Sequence, residues 1–381
     1  MFDAQVALLR DRGHPVQTVE LDNDAIPEGG SARTKVELAI DTVWSRSGVR
    51  RIRDAVQRFR PDVFHAHNTF PLLSPAIHGA ARAMGVATVQ TLHNFRLICP
   101  SAVVFRDGHP CLDCVGRRVA LPGVVHACYR DSRAATAAVA AMTAVHRLRG
   151  TWTRDVDRFI ALGPFARDLL VRGGLPADRI SVDPNTIDRA VRPDDGPGAG
   201  FLFVGRLTID KGVETLIRAW ERVPAGIELT IAGTGPLEPL VRAAAARDPR
   251  IHYLGRLAPA DVDAQLARAR ALIVPSLWYE VCPLTVLEAF AAGRPVIASG
   301  HGGLADLVSD GATGRHVRPG DAAHLAQVVT EAHADAPGML AAGQAARARY
   351  LADHTPERGY TRLLAIYEQA IATRTADGPP A

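Results

Sequence analysis

The sequence predicts an α/β protein made of two doubly wound domains, each built on a parallel sheet. The chain has 381 residues, more than one hydrophobic core normally organises, so two domains are expected. Short β-branched or apolar runs alternate with longer helical stretches along almost the whole sequence, which is typical of parallel α/β layering. Val191–Gly200 is rich in Pro, Gly and Asp and is predicted to be the interdomain linker.

The first domain is expected over residues 1–190. A helix is predicted over Met1–Arg12 and a strand near Val16–Leu21, whereas a doubly wound domain begins with a strand and a glycine-containing turn. The domain is therefore expected to lack its first strand. Either the start of the sequence is wrongly assigned or the strand has been lost, and the first is favoured because a lost central strand leaves backbone groups unpaired. Later strands are predicted at Asp62–Ala66, Ala87–Leu92 and Arg158–Leu162.

The second domain is expected over residues 201–355. A final helical stretch, about Pro356–Arg374, begins the C-terminal segment 356–381. The predicted strands, which alternate with helices, are Phe201–Val204, Glu228–Ala232, His252–Leu254, Ala271–Val274 and Val296–Ser299.

The composition excludes several classes of protein. It is 47% hydrophobic and 22% charged, which argues against disordered and collagen-like chains. A net charge of only +4 argues against a dedicated nucleic-acid binder. No apolar run reaches the roughly 18 residues of a membrane span, and no signal peptide is recognisable. Five cysteines are too few for a disulfide scaffold, so a cytoplasmic protein is expected.

Two glycine-containing loops of the second domain follow predicted strands, where α/β sheets bind ligands. The loop 205–212 carries Arg206 and Lys211, and two cations there would neutralise a diphosphate leaving group. The same cations could instead pair with nearby acids on a solvated loop. Gly233 and Gly235 follow the next strand and permit a close backbone approach to a ligand, although a plain βα turn is the better explanation of these glycines taken alone.

The segment Pro275–Ser299, PSLWYEVCPLTVLEAFAAGRPVIAS, carries the sharpest pattern. Glu280 lies in the loop after a strand and Glu288 in the following helix. A carboxylate accepts two hydroxyl hydrogen bonds, which suits Glu288 to a ribose diol and Glu280 to sugar hydroxyls. The amides near Leu284 and Thr285 begin that helix and could hold a phosphate or sugar oxygen.

This segment, with its Glu280-x7-Glu288 spacing, resembles the signature of retaining glycosyltransferase family 4, whose GT-B fold has two Rossmann-like domains facing a central cleft. VGRLTIDKG, IAGTGP and GGLADLVSDGATGRHVRPGD (302–321) fall in the family's order. The resemblance covers essentially the whole chain. It implies a nucleotide-diphosphate-sugar donor (UDP-, GDP- or dTDP-linked), a hydroxyl acceptor, retained anomeric configuration and no required metal.

The resemblance also implies roles for individual residues. Arg206 and Lys211 would hold the diphosphate, Glu288 the ribose, and Glu280 the transferred sugar as a catalytic residue. The final helix would cross back onto the first domain. The further donor-binding residues implied are Gly233, Gly235, Val281, Cys282, Leu284 and Thr285.

Two strands of the first domain end in His-Asn pairs, His67-Asn68 and His93-Asn94. In the family a histidine at the second of these positions faces the reacting sugar, which implies a catalytic role for His93. In a front-face reaction the leaving phosphate takes the acceptor's proton, so His93 would orient and stabilise. A satisfied, half-buried histidine is the alternative. His65 and His67 alternate along a strand, and His67 is the better candidate for the acceptor side with Asn68 and Asn94.

Four cysteines lie in an insert over residues 95–130. Cys99, Cys111, Cys114 and Cys128 have the spacing C-x11-C-x2-C-x13-C, which fits a structural zinc site. Buried unligated thiols or an adventitious disulfide would explain the pattern as well. Farther on, the Ala-rich stretch Ala134–Leu148 could lie at a membrane surface or line the acceptor mouth, and an ordinary buried helix is the alternative.

The sequence therefore predicts a metal-independent hexosyl-type glycosyltransferase (EC 2.4 class), with cell-surface polysaccharide, glycolipid or natural product as acceptor. The enzyme would be cytoplasmic, with peripheral membrane contact left open. A nucleotide-sugar 2-epimerase of the same fold is the rival enzyme. The alternative that is not an enzyme is an inactive GT-B binding module. It is considered because the family's usual Gly-Gly turn after its first strand has no counterpart here.

Overall fold

The chain forms two compact units. A computed structural model describes residues 1–22, 31–189 and 196–377, with the backbone alone at Ala32 and Lys35. Unit 1 comprises Met1–Val104, Cys111–Asp183 and Tyr360–Ala381, and unit 2 comprises Phe105–Pro110 and Pro184–Gly359. The first half of the predicted linker, residues 191–195, lies outside the described residues.

Strands and helices alternate along both units, as parallel α/β layering requires. The strands are β1 Val63–Ala66, β2 Ala87–Leu92, β3 Phe105–Arg106, β4 His109–Pro110, β5 Arg158–Ala161, β6 Ile180–Val182, β7 Phe201–Val204, β8 Leu229–Ala232, β9 Ile251–Gly255, β10 Ala271–Val274, β11 Val296–Ser299 and β12 Gly314–Val317. The helices are α1 Phe2–Asp11, α2 Ala32–Val43, α3 Arg46–Phe59, α4 Ala76–Arg82, α5 Leu121–Val125, α6 Arg133–Leu148, α7 Pro164–Arg172, α8 Val213–Trp220, α9 Glu238–Arg247, α10 Pro259–Arg268, α11 Leu284–Ala291, α12 Gly302–Leu307, α13 Ala322–Ala334, α14 Ala336–Asp353 and α15 Pro356–Ala376.

Unit 1 is built on a four-stranded sheet in the order β1-β2-β5-β6, with every pairing parallel. All six residues of β2 are buried, which is expected of an interior strand with helices on both faces. From Tyr360 onward α15 belongs to this unit. Its Leu363, Ile366 and Ala370 share a hydrophobic cluster with Leu9 of α1 and Val89 of β2.

The strand expected near Val16–Leu21 does not form. These residues have no strand pairing, and β1 is the outermost strand of the described sheet. Val16 and Val19 nevertheless pack against two separate core clusters. The apolar pattern therefore reflects packing of these side chains on the core, without the hydrogen-bonded neighbour that a strand needs.

Helix α6, the Ala-rich stretch, is a partly buried helix of unit 1. Ser132 caps its start by accepting a hydrogen bond from the Ala135 amide at 3.3 Å. The buried side includes Val139, Met142 and His146, whereas Leu148 at the end is 83% exposed. Within the described ranges, no helix combines the length and the apolar character needed to cross a membrane.

Unit 2 is built on a six-stranded parallel sheet in the order β12-β11-β10-β7-β8-β9. Strands β10 and β11 are buried throughout. Helix α8 packs Leu216 and Trp220 into the core beneath the sheet, and both side chains are 0% exposed. This rigid scaffold fixes the loops that leave the carboxyl ends of β7 and β10.

Candidate functional site

The loops after β7 and β10 bring a lysine and a glutamate together in unit 2. Strands β7 and β10 are parallel neighbours, so their carboxyl ends share one edge of the sheet. Lys211 Nζ donates to Glu280 Oε1 at 2.6 Å, and Ser276 Oγ donates to the same oxygen at 2.8 Å. Glu280 is 4% exposed. The two residues that the sequence placed in one pocket form a buried ion pair.

Trp278 and Thr208 add two unpaired polar groups to these loops. Lys211 Nζ lies 5.0 Å from the centre of the Trp278 ring, a favourable cation–π geometry. Trp278 Nε1 and Thr208 Oγ1 are buried and have no hydrogen-bond partner among the described residues. Buried polar groups are normally paired, so these two groups favour a polar ligand at this edge.

Glu288 on α11 is held by an arginine that the sequence reasoning missed. Arg189 Nη2 donates to Glu288 Oε1 at 2.8 Å, and Arg189 Nη1 donates to Asp263 Oδ2 at 2.8 Å. Burial raises the pKa of Glu288, and Arg189 opposes that rise. Arg189 lies two residues before the predicted linker and belongs to no motif, so only its position in the fold reveals the contact.

Arg206 is separate from the buried pair. Its side chain is 69% exposed, and its Nη2 lies 3.8 Å from Asp210 Oδ2. An exposed pair at that distance contributes little to stability. The guanidinium is therefore available to an anionic ligand at small cost.

Glycine is required at positions 233 and 235 for local packing, independently of any ligand contact. A Cβ added at Gly233 would meet the carbonyl oxygen of Gly205 at 1.8 Å, and one at Gly235 would meet that of Leu207 at 2.6 Å. Gly233 also has a φ of 138°, which side chains strongly disfavour. The glycines let the turn after β8 pack directly on the loop after β7.

The segment between Glu280 and α11 is held by backbone contacts. Asn185 Nδ2 donates to the carbonyl of Cys282 at 2.8 Å, and the amide of Gly303 donates to the carbonyl of Glu280 at 2.8 Å. Val281 and Cys282 are both buried. These contacts fix the glutamate-bearing loop independently of any ligand.

Helix α11 begins at Leu284, with Pro283 at the N-cap position. The first helical hydrogen bond runs from the Val286 amide to the Pro283 carbonyl at 3.2 Å. The amides of Leu284 and Thr285 precede that bond and point toward the start of the helix. Their geometry is that of an anion-binding helix start.

A second polar pocket lies entirely within unit 1. It gathers both His-Asn pairs at the carboxyl ends of β1 and β2, two neighbouring parallel strands. Its polar lining residues are His67, Asn68, Thr69, Gln90, Thr91, His93, Asn94 and Arg96, with Phe70, Leu92, Leu97 and Met142 as the apolar part.

His67 and His93 contact each other directly in this pocket. His67 Nδ1 and His93 Nε2 are 2.9 Å apart, and the rings are stacked with centres 5.2 Å apart. Burial lowers the pKa of His67 to about 3 and also lowers the pKa of His93. Both rings are therefore neutral near pH 7, and one of them donates the proton of the shared hydrogen bond.

His65 lies on the same strand but outside the pocket lining. Its Nε2 is 2.8 Å from Thr91 Oγ1, and its Nδ1 is 2.8 Å from the Tyr367 hydroxyl of α15. Burial lowers its pKa well below the usual value. His65 therefore has fixed structural partners on both ring nitrogens.

The four cysteines that the sequence suggests as zinc ligands all lie in unit 1. No disulfide is recorded among the five cysteines, all of which lie in the described ranges. Over the described ranges, no group of three or more His, Cys, Asp or Glu side chains is arranged to hold a metal ion. Burial raises the pKa of the Cys114 thiol to about 11, and the nearby Cys99, Cys128 and Cys111 contribute to the rise. Zinc binding stays a prediction from the sequence spacing.

Comparisons with known proteins assign the family. Residues 5–191 match the model described as Glycosyltransferase Family 4, and residues 198–335 match the model described as Glycosyl transferases group 1. The chain is 30% identical over 345 residues to a glycogen synthase of Mycobacterium tuberculosis, covering 87% of this chain and 74% of that protein. It is 29% identical over 348 residues to a 2-deoxystreptamine glucosyltransferase of Streptomyces kanamyceticus, covering 88% and 84%.

Solved structures agree on the fold. HepE from Anabaena, crystallised in complex with UDP, has a TM-score of 0.63 at 16% identity, covering 83% of this chain and 80% of that chain. A glycosyltransferase from Rickettsia africae has a TM-score of 0.66 at 14% identity, covering 96% and 87%. With its two parallel α/β units, the chain belongs to glycosyltransferase family 4 and has the GT-B fold.

Proposed function

We propose that this glycosyltransferase transfers a sugar from a nucleoside-diphosphate donor to a hydroxyl acceptor with retention of anomeric configuration. The observation that carries the proposal is the part-buried Lys211–Glu280 pair, which is flanked by unpaired hydrogen-bonding groups and lies close along the chain to Glu288 of α11. A cation beside a carboxylate suits a ligand with a diphosphate at one end and sugar hydroxyls at the other.

The donor roles follow from charge. Lys211 and the exposed Arg206 would neutralise the diphosphate as its bond to the sugar breaks, which is the step where charge develops. These two cations supply charge that a metal ion provides elsewhere, and we therefore propose metal-independent transfer. Once Lys211 turns to the phosphate, the carboxylate of Glu280 is free to accept hydroxyl hydrogen bonds from the sugar. The paired carboxylate of Glu288 would accept those of the ribose.

His93 would position the acceptor rather than remove its proton. Its depressed pKa keeps the ring neutral near pH 7, and His67 engages one of its two nitrogens. A neutral imidazole in a shared hydrogen bond is a weak base but a well-oriented partner for a hydroxyl. The acceptor's proton would pass to the oxygen of the departing diphosphate, which gains negative charge as the anomeric bond breaks.

UDP is the first donor base to test, because HepE is a fold neighbour solved with UDP. The acceptor would be a hydroxyl of a polysaccharide, glycolipid or natural product. We further propose a cytoplasmic location with peripheral membrane contact, and the exposed Leu121 and Val125 of α5 support the membrane contact.

The test is a titration of the purified chain with UDP, GDP, dTDP and ADP by calorimetry, followed by transfer assays with the matching sugar nucleotides. We expect one diphosphate to bind, and Lys211→Met to weaken it at least about tenfold, since a charge-assisted hydrogen bond is lost. Arg218→Met removes an exposed arginine of the same unit and should bind like the parent.

Three results would contradict the proposal. Failure of all four diphosphates to bind, or unaltered binding by the Lys211 variant, would remove the donor site. Conversion of the donor sugar without any acceptor would show a 2-epimerase. Binding that raises the unfolding temperature, without transfer to any acceptor, would show an inactive binding module.

A further inference from the structure

Arg96, in the unit 1 pocket, is a half-buried cation with no carboxylate partner recorded among the described residues. Its Nη1 donates to the carbonyl of Pro100. Its guanidinium carbon lies 4.4 Å from the centre of the Phe70 ring and 5.0 Å from that of Tyr129. These contacts fix the plane of the guanidinium, but neutral rings and a carbonyl do not cancel its charge.

The surroundings of Arg96 do not offset the free-energy cost of burying its charge. Burial lowers the pKa of Arg96, which reports that its charged form has lost water. The neighbouring lining residues His67 and His93 are neutral, and Gln90, Asn68 and Asn94 carry no charge. A guanidinium in a pocket is normally balanced by an anion, because desolvation of an unpaired charge is costly.

The pocket also offers hydrogen bonds of a definite kind. Gln90 is 5% exposed, and its side chain faces the buried His78, whose pKa is lowered by burial and raised by a hydrogen bond with Gln90. The side-chain oxygens of Asn68 and Asn94 already accept the amides of Phe70 and Arg96, at 3.1 and 3.0 Å. The Nδ2 groups of the two asparagines are left as donors for a ligand.

We infer that the unit 1 pocket takes an acceptor that carries both hydroxyl groups and an anionic group, a phosphate ester or a carboxylate, with Arg96 as the residue that selects the anion. The planar guanidinium, fixed between two rings, can bind such a group through paired N–H donors. The Nδ2 groups of Asn68 and Asn94 would donate to ligand hydroxyls. The inference rests on the proposed transferase function and adds to it the charge class of the acceptor.

The experiment compares neutral acceptors with their anionic counterparts, using the donor identified by the diphosphate titration. The soluble arm pairs glucose with glucose 6-phosphate and glucuronate, and glycerol with glycerol 3-phosphate. The lipid arm pairs diacylglycerol with phosphatidylglycerol in detergent micelles. Transfer rates and thermal stabilisation by each compound are measured at constant ionic strength. Preference in one arm alone identifies whether the anion is that of a soluble metabolite or a lipid.

We expect the anionic member of at least one pair to give a kcat/KM about 10- to 100-fold above its neutral partner, as a charged hydrogen bond implies. Arg96→Met should abolish this preference through KM while leaving diphosphate binding by unit 2 unchanged, which also shows that the variant is folded. Arg96→Lys, a point charge without the planar fork, should keep part of the preference.

The matched control is Arg130→Met. Arg130 also lies against the Tyr129 ring, at 5.6 Å, but it is exposed and does not line the pocket. It should retain the parent's preference.

Two outcomes overturn the inference. One is equal or better use of the neutral acceptors by the parent, or no anionic compound used at all. The other is an anion preference that survives in Arg96→Met. Both are distinct from failure of the proposed function, which appears in the same preparation as absent diphosphate binding.

Discussion

The two polar clusters of the molecule balance their charges in opposite ways. In unit 2 each carboxylate of the candidate donor site already has a cation, Lys211 for Glu280 and Arg189 for Glu288. In unit 1 the pocket is lined by two neutral histidines and by Arg96, for which no counter-charge is recorded in the described ranges.

The difference indicates how each site would respond to a ligand. A ligand that binds in unit 2 must replace one partner of an existing ion pair, so its binding depends on charges that are already in place. A ligand of the unit 1 pocket would bring the missing charge with it. The buried groups of the unit 2 cluster should therefore tolerate only isosteric substitutions. Those of the unit 1 pocket should respond to pH and to the charge of the ligand.

The largest effect is expected for Glu280→Gln. Glutamine keeps an acceptor for Lys211 and Ser276 but removes the negative charge, so turnover should fall about 100-fold or more, the size seen when one electrostatic contact to a transition state is lost. Steady-state transfer kinetics measure it, with thermal unfolding to confirm the fold. Alanine is less informative because it also leaves Lys211 without its partner.

Glu221→Gln is the control for that variant, since Glu221 is an exposed glutamate of the same unit. Turnover in Glu280→Gln within a few-fold of the parent would show that the buried ion pair is purely structural. The contrast between the two clusters would then lose its functional meaning.

A smaller effect, about tenfold, is expected for Arg189→Met on diphosphate binding at low pH. Without Arg189, burial and the nearby Asp263 would raise the pKa of Glu288 further. As pH falls from 8 to 6, Glu288 should then protonate earlier, and affinity should drop more steeply than in the parent. Calorimetric titration with UDP across that range measures the difference.

Arg268→Met, at an exposed position near the end of α10, should follow the parent's pH dependence. Tighter binding by Arg189→Met at every pH would reverse the interpretation. It would show that Arg189 competes with the ribose for Glu288 rather than keeping Glu288 ionised.

The smallest effect concerns stability and the neutral histidines of unit 1. The pKa of His67 is about 3 in the folded chain, below the usual value near 6.5 of an unfolded histidine. The unfolded state therefore binds the proton more readily between those pH values. The stabilisation is complete above about pH 6.5 and is lost as pH falls toward 3, at no more than about 1.4 kcal/mol per pH unit for one histidine.

His67→Asn should reduce this acid sensitivity, which is measured as the fall in the thermal unfolding midpoint between pH 7.5 and pH 5. His252→Asn, a change at a histidine whose side chain is 45% exposed, should keep the parent's acid sensitivity. If both variants lose stability in parallel with the parent as pH falls, His67 is not held neutral in the folded state.

Local sequence predicted most of the scaffold. Strands β7, β10 and β11 appear at the expected residues. Their short, predominantly apolar sequences are typical of strands in a parallel sheet, where both faces are covered. Strand β12 was missed. Gly314–Val317 contains Arg315 and His316, and it becomes a strand because it pairs with the edge of β11. Its Gly314 is needed there, since a Cβ would meet the Val296 carbonyl oxygen at 1.9 Å.

The sequence by itself determined the two-unit α/β architecture, the family and the individual loops that carry Lys211, Glu280 and the His-Asn pairs. These depend on periodicity and on residues that are close along the chain. Only the tertiary structure decided which charges meet. Arg189 and Glu288 are 99 residues apart, and Lys211 and Glu280 are 69 apart. Whether a cation such as Arg96 has a carboxylate partner is set by the packing of distant segments, which no local pattern records.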